Sequence, residues 1–483
     1  MSWLTRLIEA LLDMFGGAAK PVSRPAESQA APDSGNHQPG QQLGQQLGQP
    51  TDQRTAAPAP AETGAIKVLV AEFTNDRDGA YTQRVIDTLK TATVLDVSKT
   101  EVSLAGPGDN PALAKLAQFQ ADGRAWLESA GADLLIHGIA TRGGLRLRLV
   151  GAVPPAEGKP DAVGIGDAFL VPLNFGAELA NLLYAGVLVA ALPGKAERRR
   201  DLAPHIAGAG ERALKLLEGL PDGVDVAQIG AIHTWLGVVT AALWRLCDLP
   251  AGLTAAVAAF EKANREGPKE LTPLVMAELK IRLGLALQEL AVVKGDESMF
   301  EDAIDAFETV TRNLDAGAYP RECGLACIGL GSAYLTRGRK LLDAEDCARA
   351  VTAFDAALSV FTKEADRRRW HGTMNLKGAA LATAGSINLG AKDLEAAAVV
   401  LREVFEACDR TTNPLQWAQG SNGLGSAVFA LAKRTNDKAR LNEAIGYFDG
   451  ALAVYEARNQ TVALGVVGKN LQRAHRLRDT LGG

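Results

Sequence analysis

The segment LTAAVAAFEKA (253–263) decides the fold, because related segments begin at intervals of 47 residues further along the chain. The later copies are FEDAIDAFETV (300–310), CARAVTAFDAA (347–357), LEAAAVVLREV (394–404) and LNEAIGYFDGA (441–451). Three positions agree in register, occupied in the first copy by Ala256, Phe260 and Ala263. A constant period of this kind indicates duplication of one structural unit.

Each period holds two helical stretches, and a column of glycines marks the first stretch: Gly237, Gly284, Gly331, Gly378 and Gly425. Small residues in both stretches indicate where the helix backbones approach most closely. We expect the bulky apolar column to fill the space between successive helix pairs. Stacked pairs of this kind predict an α-solenoid over residues 199–482, closed by the capping helix ALGVVGKNLQRAHRLRD (463–479).

The repeat resembles tetratricopeptide repeats, specifically a long bacterial variety. The resemblance is carried by Leu-Gly in the first helix, by Ala-x3-Phe-x2-Ala in the second, and by NPLQWAQGSNGLGSA (413–427). The preceding copy keeps Trp370, Asn375 and Gly378. The chain departs from the family in its 47-residue period and in Cys323, where later copies have tryptophan. The resemblance implies a concave groove that binds a protein or peptide partner and is lined by first helices.

Residues 65–193 differ in character, because strand-like runs alternate with helical ones. IKVLVAEF (66–73) and VLDVSKTEVSL (94–104) are strand-like, and PALAKLAQFQADGRAWLESAG (111–131) is an amphipathic helix. Two further strand-like runs flank Thr141–Gly144, a turn that predicts a β-hairpin. The predicted fold class is therefore α+β and multidomain, with a small α/β mixed-sheet domain followed by an all-α tetratricopeptide-like solenoid.

This α/β segment resembles the N-terminal domain of TolB and related modules, on the pattern of Gly131-Ala132-Asp133 followed by LLIHGIATRGGLRLRLVG. The resemblance implies a recognition module rather than a catalytic one. The apolar run AELANLLYAGVLVAAL (177–192) follows. Its eleven uninterrupted apolar residues fall short of the roughly 20 that a bilayer requires, so we expect a buried helix that joins two domains.

The first 17 residues form a predicted amphipathic helix, since the apolar positions recur at helical spacing. The apolar stripe and its aromatic margins comprise Trp3, Leu4, Leu7, Ile8, Leu11, Leu12 and Phe15. Residues 18–64 are rich in Pro, Gln, Gly and Ser and predict a flexible linker. The stripe is therefore expected to dock on a membrane surface, on a partner or on its own chain.

Composition excludes several classes of protein. A formal net charge of -5 argues against a nucleic-acid-binding surface. Five cysteines without a CxxC pair indicate buried thiols in a reducing compartment, not a disulfide framework. Six scattered histidines predict no metal site, and the Gly-x-Gly of GIGDAF (164–169) leads into a strand, unlike a dinucleotide loop. We therefore predict neither a cofactor nor a catalytic constellation.

The candidate partner groove starts from an arginine cluster beside an aromatic residue. Arg367 and Arg368 precede Trp370 at the predicted start of a first helix, which suits an acidic peptide. A solvated turn is an equally good interpretation of the same residues. The candidate groove residues are Arg367, Arg368, Trp370, Asn375, Trp417 and Asn422.

The sequence predicts a non-enzymatic protein-interaction scaffold or adaptor. We expect it in the bacterial cytoplasm, with peripheral association on the inner membrane through residues 2–15 as one option for the N-terminal helix. A second hypothesis is a regulatory protein in which a ligand of the α/β domain controls the array. A third is an enzyme with a site at the Gly-rich loop 151–166.

Overall fold

A computed structural model describes residues 65–482, with gaps at 101–105, 109–110, 156–157, 193–195, 248–249 and 269–270. The predicted N-terminal helix (1–17) and the predicted linker (18–64) lie outside the described residues. The expectations for Trp3 to Phe15 therefore stay predictions.

The described chain begins with strands and helices in alternation and continues with helices alone. The first part comprises β1 (Ile66–Ala71), α1 (Ala80–Lys90), β2 (Leu95–Thr100), α2 (Leu113–Ala130), β3 (Leu134–Thr141), β4 (Gly144–Gly151), β5 (Phe169–Val171) and α3 (Ala177–Ala191). The second part comprises α4 (Ala196–Ala213), a 3-10 turn (Leu214–Leu217), α5 (Val226–Cys247), α6 (Pro250–Glu266), α7 (Pro273–Lys294), α8 (Ser298–Asn313), α9 (Pro320–Leu341), α10 (Ala344–Val360), α11 (Arg367–Ile387), α12 (Ala391–Glu406), α13 (Pro414–Thr435), α14 (Lys438–Ala457) and α15 (Thr461–Gly482). The chain is thus α+β, with a helical array after a small sheet.

The five strands form one mixed sheet in the order β2-β1-β3-β4-β5. Strand β1 pairs in parallel with β2 and β3, whereas β3, β4 and β5 are antiparallel. The predicted hairpin is confirmed, since Thr141 pairs with Gly144. Helix α2 covers part of the sheet, and a Cβ on Gly123 would lie 3.1 Å from Val150 of β4. The predicted mixed sheet is therefore confirmed.

The predicted buried helix at 177–192 is α3, in which nine residues are buried. Helix α3 is too short to cross a membrane, and among the described residues one helix is long and apolar enough, Val226–Leu246 of α5. Most of that helix (72% of its apolar window) is buried inside the structure, as expected for a core helix of a folded domain.

The described residues group into two compact units, which are divided in sequence between Met299 and Phe300. Of the described residues, the first unit contains the sheet and α1 to α7, and the second contains α8 to α15. The predicted boundary near residues 193–199 lies within the first unit. Within this unit the sheet contacts a first helix of the array, since the Phe169 ring of β5 lies 5.5 Å from that of Trp235 on α5.

The glycine column receives the bulky column of the next helix. A Cβ built on Gly331 of α9 would lie 2.6 Å from the Phe354 ring of α10. The same arrangement joins Gly237 to Phe260, Gly378 to Leu401, and Gly425 to Phe448. In four pairs the bulky residue thus packs within its own helix pair, which corrects the expectation that the column fills the space between pairs. That expectation holds at Phe307, whose ring lies against Gly329 of the following helix.

The turns between the two helices of a pair repeat at the same interval of 47 residues. Each contains one residue with positive φ: Gly295, Leu342, Leu389 and Asn436. In three of these turns an aspartate follows and its carboxylate accepts a hydrogen bond from the backbone of the next helix: Asp296, Asp343 and Asp437. The duplication is therefore present in the backbone as well as in the side-chain pattern.

We predict that Gly378→Leu destabilises the protein by about 1–3 kcal/mol relative to Gly372→Leu, because a Cβ at Gly378 would lie 2.5 Å from Leu401. Both glycines lie on α11, but a Cβ at Gly372 would meet nothing within 4 Å. Both substitutions therefore gain the same helix propensity, and the two variants differ in how closely the new side chain approaches its neighbours. Urea denaturation of the two variants measures the difference, and equal midpoints would contradict the packing.

We predict that Leu389→Gly stabilises the protein by about 0.5–1 kcal/mol. Leu389 has φ 57° and its side chain is 66% exposed, so glycine relieves backbone strain and removes little packing. The matched control is Asn388→Gly, one residue earlier, where φ is -73° and there is no strain to relieve. A melting temperature that rises equally in both variants would argue against the strain.

Candidate functional site

The predicted arginine cluster lies at the start of α11, where the helix is capped. Asp366 accepts a hydrogen bond from the backbone N–H of Arg369 at 3.0 Å and forms an ion pair with its guanidinium. Arg367 donates to the backbone carbonyl oxygen of Ala407, after the end of α12, and Arg368 is exposed. Arg367 and Arg369 therefore stabilise turns, while Arg367 and Arg368 are both exposed.

The two predicted tryptophans occupy equivalent places. Trp370 is buried against Met374 and Val404, and its ring lies 5.3 Å from the Lys363 ammonium. Trp417 is half-buried beside Phe405, with ring centroids 5.3 Å apart. Its ring lies 4.7 Å from the guanidinium of Arg410, which precedes it by seven residues as Lys363 precedes Trp370. The repeated cation–π pair anchors the loop before each helix.

The two predicted asparagines form different hydrogen bonds, one within a helix and one between two helices. Asn375 is half-buried, and its Nδ2 donates to the backbone oxygen of His371 at 3.0 Å. Asn422 is buried, and its Oδ1 accepts a hydrogen bond from Asn470 of α15 at 3.4 Å. Trp370 and Asn422 are both buried among the described residues, and their role in a partner groove stays a prediction.

The cysteines act as packed apolar residues in the part of the chain that the structure describes. Burial raises the pKa of the Cys327 thiol to about 11 and that of Cys347 to about 12. Both thiols therefore stay protonated at neutral pH, which disfavours nucleophilic or redox chemistry there.

Sequence reasoning missed a set of charged contacts around the loop between β4 and β5. We refer to residues 158–168 as the strap; it contains neither helix nor strand and most of it is half-buried. It lies against α5 and α7, both of which are first helices of their pairs. Charged side chains of these two helices hold it in place.

Arg282 of α7 makes the densest contacts with the strap. Its Nη1 lies 3.1 Å from Oδ1 of Asp167 and its Nη2 lies 2.5 Å from Oδ2, a bidentate ion pair. Its Nε donates to the backbone oxygen of Ala162 at 2.9 Å. Both charged side chains are only 5% exposed. The guanidinium therefore replaces its lost hydration with contacts to the strap.

Glu278 and Arg148 both form hydrogen bonds with the strap backbone around Gly166. The Oε1 of Glu278 accepts a hydrogen bond from the backbone N–H of Gly166 at 3.1 Å. Arg148 of β4 donates to the backbone oxygens of Gly166 and Asp167 at 3.3 and 3.2 Å. Burial, with the nearby charge of Arg146, lowers the pKa of Arg148 to about 10. Glycine allows the close approach, because a Cβ on Gly164 would lie 2.4 Å from the Glu278 carboxyl group in its present position.

A second anchor lies further along the two helices. Arg245 of α5 forms an ion pair with Asp161 of the strap. Beside it, the indole Nε1 of Trp244 donates to Oε2 of Glu289 at 2.8 Å. Burial raises the pKa of Glu289 to about 7, and the neighbouring charge of Asp161 acts in the same direction.

A signal for these contacts exists in the sequence. Glu278, Arg282 and Glu289 are spaced at four and seven residues, so they share one face of an otherwise apolar helix. Charges within an apolar helix predict buried partners. Their partners lie more than 100 residues away for Arg282 and Glu278, beyond the reach of local patterns.

An open cavity of about 590 Å³ lies elsewhere in the first unit, between the end of α1, α3 and α4. Its polar lining includes Asn181, Tyr184, His205 and Arg212. Arg212 donates to Oδ1 of Asn181 at 2.8 Å. The hypothesis of a ligand-controlled array would place its ligand here and stays a prediction. Among the described residues, no group of three or more His, Cys, Asp or Glu side chains is arranged to hold a metal ion.

Comparison of the chain with protein-family models finds no matching family, and comparison with curated proteins finds no similar protein. The functional argument therefore rests on the geometry of the repeats and the strap.

We predict that Glu289 contributes to the free energy of unfolding and that this contribution decreases as pH rises. A carboxyl group whose pKa is raised from 4.5 to about 7 by folding binds its proton more tightly in the folded state. Its contribution is complete below about pH 4.5 and is lost as pH rises to about 7. Glu289→Gln keeps an acceptor for Trp244 without a charge and should be more stable than the unchanged protein at pH 8, by roughly 1–3 kcal/mol. Urea denaturation at pH 5 and pH 8 tests this, and a constant difference would contradict it.

Proposed function

We propose that the protein is a non-enzymatic scaffold or adaptor that binds other polypeptides through a tetratricopeptide-like solenoid. One observation carries the proposal: a non-helical segment, the strap, lies on the faces of two first helices and is held there through its backbone and carboxylates. A surface that holds such a segment of its own chain has the chemistry to hold a segment of another. The α/β domain would act as a recognition module, as its TolB-like pattern suggests.

The partner surface that we propose lies on the first helices of the second unit. The repeat position of Glu278, which binds the strap backbone, is occupied in α9, α11 and α13 by Leu325, Gly372 and Gln419. All three are half-buried, as expected for residues that line a shallow groove. Near the start of the same helices, Arg368 and Leu415 are exposed. Together they favour an extended peptide with apolar and acidic side chains.

An enzymatic role at the Gly-rich loop has weaker support. The charged groups near this loop pair with each other and with the loop backbone. Their shifted pKa values follow from burial in a structural contact, which is a common cause of such shifts outside active sites.

We predict that a photo-crosslinking amino acid at Leu325 or Gln419 captures the partner in living cells, because both positions face the proposed groove. The matched control is Val399 on α12, a second helix, where the side chain is 65% exposed. Covalent adducts should form from the two groove positions and not from position 399. Adducts of equal yield at all three positions, or none at the groove positions, would rule out the groove.

We also propose that residues 2–15 associate reversibly with the inner membrane while the folded body stays in the cytoplasm. Affinity would come from burial of the apolar stripe, since Arg6 and the amino terminus offset only Glu9 and Asp13. The full chain should therefore float with liposomes in a largely salt-independent manner, and a chain that starts at Lys20 should not. Equal flotation of the two proteins would contradict membrane anchoring by residues 2–15. Protection of these residues from proteolysis in the absence of lipid would favour docking of the helix on the chain itself.

A further inference from the structure

We propose that the face of α5 and α7 beneath the strap is a second docking site, specific for an extended acidic segment of a partner, and that the strap occupies this site as an internal competitor. The inference rests on the proposed function in assuming that first helices bind polypeptide. It concerns a different surface, located within the first unit alone.

The contacts define what the site recognises. Two carboxylates, those of Asp161 and Asp167, are bound by Arg245 and Arg282. Between them the strap is held through its backbone, at the oxygen of Ala162 and the N–H of Gly166. The site therefore binds a non-helical segment with two acidic residues six positions apart.

Sterics add a second requirement. A Cβ on Gly164 would lie 2.4 Å from the carboxyl group of Glu278, and one on Gly166 would lie 2.8 Å from the same group. Unless the Glu278 carboxyl group moves, a competing segment therefore needs glycine at the third and fifth positions after its first acid. The recognised pattern is Asp-x-x-Gly-x-Gly-Asp, the pattern of DAVGIGD (161–167).

Desolvation explains why the competitor must be acidic. Beneath the strap Arg282 is only 5% exposed and Arg245 only 17%, so any segment that takes the place of the strap desolvates both cations and must supply their partners. A neutral peptide cannot satisfy them, whereas a peptide with two carboxylates can. The strap itself is half-buried over most of its length, so part of it lies at the surface.

The test uses the full chain and a fluorescein-labelled peptide of residues 158–170, followed by fluorescence anisotropy. In the Asp161→Asn/Asp167→Asn variant the strap competes less well, and we expect the peptide to bind at least tenfold more tightly than to the unchanged protein. The control peptide carries asparagine at both acidic positions and should bind at least tenfold more weakly than the acidic peptide. Adding Arg245→Gln and Arg282→Gln to the variant should abolish binding.

Equal binding of the acidic and neutral peptides to the variant would overturn the proposal, as would equal binding of the acidic peptide to the variant and the unchanged protein. If the double variant does not fold, Asp161→Asn alone keeps the more buried Arg282–Asp167 pair, and the same comparisons apply with at least a threefold gain expected. Failure here leaves crosslinking at Leu325 and Gln419 unaffected, so the two proposals fail independently.

Discussion

The helical array depends on one packing constraint, the contact of a bulky apolar side chain with a glycine on the preceding helix. Phe260, Phe354 and Phe448 are fully buried, and each ring occupies the space that a Cβ on its partner glycine would need. The constraint sets how closely the two helices of a pair approach. Because the turns between them also repeat, with a residue of positive φ at Leu342 and Asn436, every copy presents its glycine in the same register.

The first unit uses the same scaffold differently. In α7, positions on the first-helix face carry Glu278, Arg282 and Glu289, whereas the second unit has Leu325, Gly329 and Thr336 at the same repeat positions. The buried charges are matched by the strap, which the sheet delivers between β4 and β5. Near them, Trp235 of α5 is buried against Phe169 of β5, with ring centroids 5.5 Å apart. The sheet and the first helices are therefore joined by both apolar and ionic contacts.

The sequence was sufficient to predict the helical array, the mixed sheet and its hairpin, because each depends on local periodicity. It did not predict which bulky apolar residue packs against which glycine of the repeats. Gly331 lies 23 residues before Phe354 and 24 residues after Phe307, so the period hardly distinguishes packing within a pair from packing between pairs. The burial of Trp370 and Asn422 was missed for a related reason, since a small rotation of a helix moves a residue from a groove into an interface. The contacts of Arg282 and Glu278 with the strap were missed because they join residues more than 100 positions apart.

The choice of charge over apolar contact beneath the strap has a physical consequence for specificity. A buried ion pair contributes little net stability compared with well-packed apolar side chains, because the cost of desolvation offsets the attraction. It does impose a strong preference, since any segment without a carboxylate opposite Arg282 leaves a desolvated cation unpaired. An apolar strap over an apolar face would accept many segments of similar shape. A charged face accepts few segments, so these buried ion pairs contribute more to selectivity than to stability.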